Sequence, residues 1–242
     1  MAELLFYEKV TILDREKHRT LRLKALGDHR YAAKAHAIPL MAAEYVEASR
    51  EYPIVFARTP EGKMLSLALT GTQQGENLYL DADGRWDARY IPAFVRRYPF
   101  VFAETGPDQL TACMDESFPG FSQTEGEALF RDNGESTPFM QGYFDLLTEC
   151  QRQTILTESF LKKLETSGVL MEAQMRAETP DGRCAQLQGV LVVDSNKFQG
   201  LPPETLKEWF LSGELGLVYA HLFSLGNIVE LARRMPLTGR PD

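Results

Sequence analysis

Cysteine is scarce in this chain. Cys113, Cys150 and Cys184 are odd in number, far apart and without a CxxC pair. That excludes a disulfide framework and reads as free thiols in a reducing compartment, so the expected location is the cytoplasm. Histidine is scarce too. His18, His29, His36 and His221 include no pair at HxxxH or HxD spacing, which removes the usual transition-metal ligand sets. Phosphate cradles are missing, with no GxxxxGK[ST] and no GxGxxG behind a strand, and so is the GxSxG nucleophile elbow of serine hydrolases. No cofactor and no metal are expected. Positive charge is in deficit, 26 Lys and Arg against 34 Asp and Glu, for a net charge of -8. That sign argues against nucleic acid and against docking on anionic lipid. The longest uncharged run, 215–229, is fifteen residues and contains His221, Ser224 and Asn227. A spanning helix needs roughly 18 apolar residues, so no membrane insertion is expected. The start, MAELLFYEKV, has no basic segment followed by an apolar one, so no cleaved signal peptide is expected either.

What is present is ordinary globular material, 44% hydrophobic and 25% charged over 242 residues. Alternation predicts strands at 6–13, 53–57, 64–70, 77–80, 100–103 and 109–114, with a basic segment over 15–30. Helical spacing predicts a helix at 39–51, stopped by Pro53, and a long one at 139–164, opened by Thr137-Pro138 and closed by Gly168. A hairpin over 169–194 follows. Then Pro202-Pro203 opens a helix with Leu206, Trp209 and Phe210 on one face and Gly213 at its end. An apolar helix over 215–234 precedes a tail, 236–242, expected to fray. The predicted class is α+β, with antiparallel β-hairpins packed against helices. The chain reads as a single unit, 1–242, with sub-halves 1–116 and 137–235 joined by a polar loop at 117–136.

One echo runs through it. Thr59-Pro60-Glu61-Gly62-Lys63 and Thr179-Pro180-Asp181-Gly182-Arg183 are near copies in like positions. Either the two halves are related by a degenerate duplication, or TPxG has recurred as common hairpin chemistry.

The densest signal is the segment 85–100, RWDARYIPAFVRRYPF, with five aromatics, four arginines and two prolines in sixteen residues. Pro92 suits the first position of a short helix running to Tyr98, and Pro99 stops it. Ile91, Phe94, Val95 and Tyr98 have the spacing of a buried face. A binding reading takes Arg89, Arg96 and Arg97 as a clamp for an acidic group, with Trp86, Tyr90 and Tyr98 stacking on the ligand or partner. A structural reading pairs Arg96 and Arg97 with Asp87, Asp115 or Glu116 and a helix C-terminus. Asp81-Ala82-Asp83-Gly84 lacks the later ligands of a calcium loop, where Tyr90 stands in place of Glu, and reads as a polar turn. Asp115-Glu116 reads as a solvated edge whose side chains point to opposite faces. His221 reads as a satisfied core histidine. No side chain is singled out as catalytic.

The segment resembles the signature of the SapC family, named for surface-layer protein export. The resemblance extends over roughly 6–231, through Ala37-Ile38-Pro39-Leu40, Glu51-Tyr52-Pro53-Ile54-Val55-Phe56, Gly75-Glu76-Asn77-Leu78-Tyr79, Asp115-Glu116-Ser117, Thr137-Pro138-Phe139 and 218–225. It implies a link to surface-layer export, or to loci holding outer-membrane receptors, tryptophan-halogenase-like flavoproteins and cupin-like oxygenases. It carries no catalytic residues. A peptide-transporter permease shares the name, and the lack of an expected span sets this chain apart from it. The leading expectation is a non-catalytic, cytoplasmic accessory protein that binds a protein or peptide partner. The alternative is an enzyme or ligand-binding subunit of a peptide- or tryptophan-modifying pathway. A pocket lined by Trp86, Arg89, Tyr90 and Arg97 would favour the alternative, and an exposed aromatic patch the accessory role.

Overall fold

The computed structural model of the chain describes residues 4–106 and 109–237. Its strands are β1 (Val10–Ile12), β2 (Arg22–Leu23), β3 (Ala37–Pro39), β4 (Ile54–Arg58), β5 (Met64–Leu69), β6 (Phe100–Gly106), β7 (Gln109–Asp115), β8 (Phe121–Ser122), β9 (Glu127–Ala128), β10 (Leu170–Glu178) and β11 (Cys184–Val193). The helices are α1 (Tyr45–Ala48), α2 (Ala93–Arg96), α3 (Pro138–Thr166), α4 (Ser195–Gln199), α5 (Pro203–Ser212), α6 (Glu214–Ser224) and α7 (Ile228–Arg234). The fold is α+β, with antiparallel hairpins packed against helices. A five-stranded sheet runs β10-β11-β4-β5-β3, and two three-stranded sheets run β1-β7-β6 and β8-β2-β9.

Local sequence places the main hairpins. In both TPxG turns the Thr N–H bonds the carbonyl four residues on, Thr59 to Lys63 at 2.8 Å and Thr179 to Arg183 at 2.9 Å. Gly62 and Gly182 take φ of +84° and +85°, which only glycine adopts without strain. The two hairpins lie side by side in the same sheet, but β5 leads into irregular chain and β11 into α4 and α5. The long helix α3 starts as its signals require: the Thr137 side chain accepts the Met140 N–H at 3.2 Å and Pro138 occupies the first turn.

Other elements differ from the local reading. Residues 77–80 form no strand. Asn77 Oδ1 takes the Tyr79 N–H and its amide donates to Ala32, so a side chain holds bonds that a ladder would use. Only Leu80 bridges to Trp86. The helix expected at 39–51 shrinks to a 3₁₀ turn and α1, and the first strand to β1. The basic segment contains β2, and the expected loop 117–136 supplies β8 and β9, one on each side of it. A Cβ at Gly126 would sit 2.4 Å from the Leu23 carbonyl oxygen, so this approach requires glycine. Phe210 is 69% exposed while Trp209 is buried, so the two do not share a face. The last helix breaks at Leu225–Asn227 into α6 and α7. Glu214–Arg234 is nonetheless long and apolar enough, by length and composition, to cross a membrane, which the uncharged run alone did not suggest. Of the tail expected to fray, residues 238–242 lie outside the described residues.

Two apolar clusters result. The larger joins the main sheet to the helices through Tyr45, Phe56, Leu164, Trp209 and Leu231. The smaller gathers Leu23, Phe100, Met114, Leu129 and Phe130. Helix α3 serves both, with Met140 and Leu147 in the smaller and Phe160, Leu161 and Leu164 in the larger.

The two hairpins of the main sheet meet at one register pair, Leu191 opposite Phe56. Two residues further on, Ile54 would face Val193. There the strands splay, and His221 of α6 fills the gap. Its Nε2 accepts the Val193 N–H at 3.0 Å and its Nδ1 bonds the Ile54 carbonyl at 2.9 Å. Nδ1 is therefore the protonated nitrogen and the ring is neutral. Ser224 completes the exchange, accepting the Ile54 N–H at 2.9 Å and donating to the His221 carbonyl at 2.6 Å. Burial pushes the His221 pKa down to about 4, outweighing the Ile54 contact. The folded value lies below the unfolded one, about 6.5. The neutral ring's contribution is therefore whole above pH 6.5 and is lost as pH falls towards 4. We expect stability, measured by urea unfolding, to drop by roughly 3 kcal/mol across that window. A His221→Gln variant should be less stable at pH 7 and show a flatter pH profile. An unchanged profile in the variant would show that other groups titrate.

Candidate functional site

The signature segment is anchored by two buried carboxylates, Glu44 at its middle and Asp115 near its far end. At its start the Trp86 Nε1 donates to the Tyr52 hydroxyl at 2.7 Å, and that hydroxyl donates to the Tyr90 carbonyl. Trp86 is 8% exposed. Glu44 is 6% exposed and reaches across from the 3₁₀ turn at Ala42–Glu44. Its Oε1 accepts the Tyr90 hydroxyl at 2.6 Å and the Ala93 N–H at 2.7 Å, and its Oε2 the Met41 N–H at 2.9 Å. Pro92 stands just before the first helical residue and cannot cap α2 itself, so Glu44 satisfies the free N–H from a distant part of the chain.

At the far end sits Asp115, fully buried. It accepts the Glu8 and Lys9 N–H groups at 2.8 and 3.0 Å, the Ser117 N–H and hydroxyl at 3.0 and 2.6 Å, and the Tyr98 hydroxyl at 3.2 Å. Burial alone would raise its pKa. The bonds from Ser117, Glu8 and Lys9 outweigh it and hold the carboxyl below its ordinary value. Asp115 is thus a core hub rather than a solvated edge. Its neighbour Glu116 does point outward, to Lys9 at 2.8 Å and Lys17 at 2.7 Å.

The arginines do not gather into one clamp. Arg89 is exposed, and only its backbone is held, by Glu51 at 3.2 Å. Arg97 lies over the Phe94 ring at 3.6 Å, with its Nε and Nη2 buried and unpartnered among the described residues. Arg96 is exposed, bonds the Ile91 carbonyl at 2.9 Å and approaches the Tyr90 ring at 5.9 Å. Neither Arg96 nor Arg97 pairs with Asp87, Asp115 or Glu116. Asp87 pairs instead with Arg234 at 2.8 Å.

Of the six candidate residues, Arg96 and Tyr98 meet at a cleft of about 230 Å³. Tyr98 stacks on Tyr31 at 4.1 Å, and Phe118 meets Tyr98 edge-on at 5.3 Å. Lys24, His29, Pro99 and Tyr143 are also among its walls. The Tyr31 hydroxyl is spent on the Val95 carbonyl at 3.0 Å, and that of Tyr98 on Asp115, which leaves ring surface as their contribution to the cleft. Lys24 ion-pairs with Glu125 at 2.6 Å, and Asp28, also at the cleft, with Arg30 at 2.6 Å. Burial lowers the His29 pKa, and its Nδ1 is buried without a partner among the described residues. Lys24, His29, Tyr31, Phe118 and Tyr143 have no local signal in the sequence, because they arrive from separate segments. A larger hollow of about 490 Å³, beside Arg15, Phe130, Arg131 and Phe144, holds none of the signature residues. Among the described residues no three His, Cys, Asp or Glu side chains are grouped to hold a metal ion.

Asp115→Asn replaces an acceptor oxygen with an NH₂ facing N–H donors. We expect a loss on the order of 2 kcal/mol at pH 7, read by urea unfolding. The carboxyl's folded pKa is depressed, so the gap between wild type and variant should close as pH falls through the carboxylate range. A variant as stable as wild type at pH 7 would mean that this hub is dispensable.

A family model described as SapC matches residues 13–231. No curated protein and no solved structure matches the chain. The match takes in the signature segment, both buried carboxylates and every wall of the cleft. The chain belongs to the SapC family.

Proposed function

We propose that this protein is a non-catalytic accessory protein that binds a protein or peptide partner. In this reading the cleft at Arg96 and Tyr98 receives one acidic side chain of that partner. The observation that carries the reading is the cleft's make-up: Arg96, exposed and in no ion pair among the described residues, beside packed aromatic rings. Its size supports an anchoring side chain over a cofactor, since sites for small ligands generally run from about 300 to 1,000 Å³. Arginine and tyrosine are also the side chains that most often dominate binding energy at interfaces. In this reading the protein works in the cytoplasm, in a pathway linked to surface-layer or outer-surface protein export, or to receptor-linked uptake, as the family resemblance suggests. The cleft is concave, which also favours a second reading, a ligand-binding subunit of a peptide- or tryptophan-modifying pathway that holds a small carboxylate.

Purified protein recovered from its own cells, with mass spectrometry of bound proteins and small molecules, separates the two. We expect a stoichiometric protein partner. Its affinity should fall at least about tenfold with Arg96→Glu while circular dichroism stays that of the wild type. Undiminished capture by the variant would move the contact elsewhere. A retained small molecule with no protein would replace the accessory reading with the ligand-binding one.

A further inference from the structure

Strand β10 ends the five-stranded sheet and, at nine residues, is the longest of its edges. The pairing at its two ends fixes which way its backbone faces. Val169 accepts the Asp194 N–H at 2.8 Å and Thr179 donates to Arg183 at 2.9 Å, so odd-numbered residues face β11. The bulge lies in β11, at Gly189 with φ of +71°, because Ala173 pairs with Val190 and Met175 with Leu187. The alternation in β10 is therefore unbroken. Leu170, Glu172, Gln174, Arg176 and Glu178 turn their N–H and C=O groups outward. Among the described residues none hydrogen-bonds to those groups. An edge of this kind is a template for another strand unless something blocks it.

We infer that a second copy of this chain pairs here, β10 against β10 in antiparallel register about a two-fold axis at Gln174. The charges select this register. It sets Glu172 opposite Arg176 of the second copy, and by symmetry Arg176 opposite its Glu172. Facing residues in such a pair exchange two hydrogen bonds, with Cα atoms about 5.5 Å apart and side chains on one face. On the other face Met171, 42% exposed, meets Ala177 of the second copy. Centring on Glu172 or on Arg176 sets like charges face to face, and centring on Met175 sets Glu172 against Glu178. Centring on Ala173 leaves the charges unpaired. Arg176 now bonds Glu178 of its own strand at 3.0 Å and is exposed, so it is free to turn across. The result is one continuous sheet through both copies with an isologous interface.

Sedimentation of the full chain over a range of concentrations tests this. The wild type is expected to dimerise reversibly. Arg176→Glu should raise the dissociation constant at least about tenfold, and Glu172→Arg combined with Arg176→Glu should restore it. Gln174→Pro removes an outward N–H that the monomer does not use, so it should abolish the dimer while leaving circular dichroism unchanged. If Gln174→Pro disturbs the monomer, the two charge variants decide alone. A wild type that stays monomeric throughout, a dimer indifferent to Arg176→Glu, or a double variant that fails to recover would each overturn the inference.

Discussion

The imidazole of His221 stands where two hairpins part. Between β4 and β11 the sheet has a single register pair, and beyond it a side chain from α6 does what a backbone partner would otherwise do. The bridge needs a neutral ring, one nitrogen donating and the other accepting, in a place without water. It therefore links the docking of α6 to the continuity of the main sheet. Removing either would leave buried N–H and C=O groups at Ile54 and Val193, and such groups are costly when unpaired. The buried side of 215–229 packs against the core around His221, whereas Tyr219, Phe223 and Val229 of the same stretch are exposed.

The signature segment follows the same logic with carboxylates. Its unusual density of aromatics goes largely into construction. Trp86, Tyr52 and Tyr90 form one hydrogen-bonded chain, Glu44 caps α2 from afar, and Asp115 gathers the N-terminal strap, Tyr98 and the turn at Ser117. Buried carboxylates are tolerated here because each has its acceptor capacity filled by donors placed in advance. The segment's aromatics are buried or half-buried, while Arg85, Asp87, Arg89 and Arg96 face outward. Arg96, the ring of Tyr98 and Pro99 are what it contributes to the cleft. A segment so distinctive in sequence thus lends only a few side chains to the cleft, whose other walls come from elsewhere.

The legible parts of this fold were those whose signals are local. The TPxG turns, the Thr137-Pro138 start and Gly168 stop of α3, and β4 through β7 all depend on residues within one turn or one strand of each other. Misreadings share one cause. Asn77 diverted a strand-like run into a turn by bonding Ala32, far away in the chain. Asp115 looked solvated because its donors, Glu8 and Lys9, lie more than a hundred residues earlier. Strands β8 and β9 looked like loop because neither forms without β2 between them.

By itself, then, the sequence determined the α+β class, the main hairpins, the long helix and the family, since these follow from turn chemistry, capping and periodicity at short range. Tertiary structure alone decided that Trp86 is inward and Arg96 outward, that Arg97 lies on Phe94, and that Tyr31, Phe118 and Tyr143 share a cleft with Tyr98. The placing of Trp86, Tyr90 and Tyr98 rests on hydrogen bonds to Tyr52, Glu44 and Asp115 from other parts of the chain, and no local pattern encodes a bond whose two ends lie tens of residues apart.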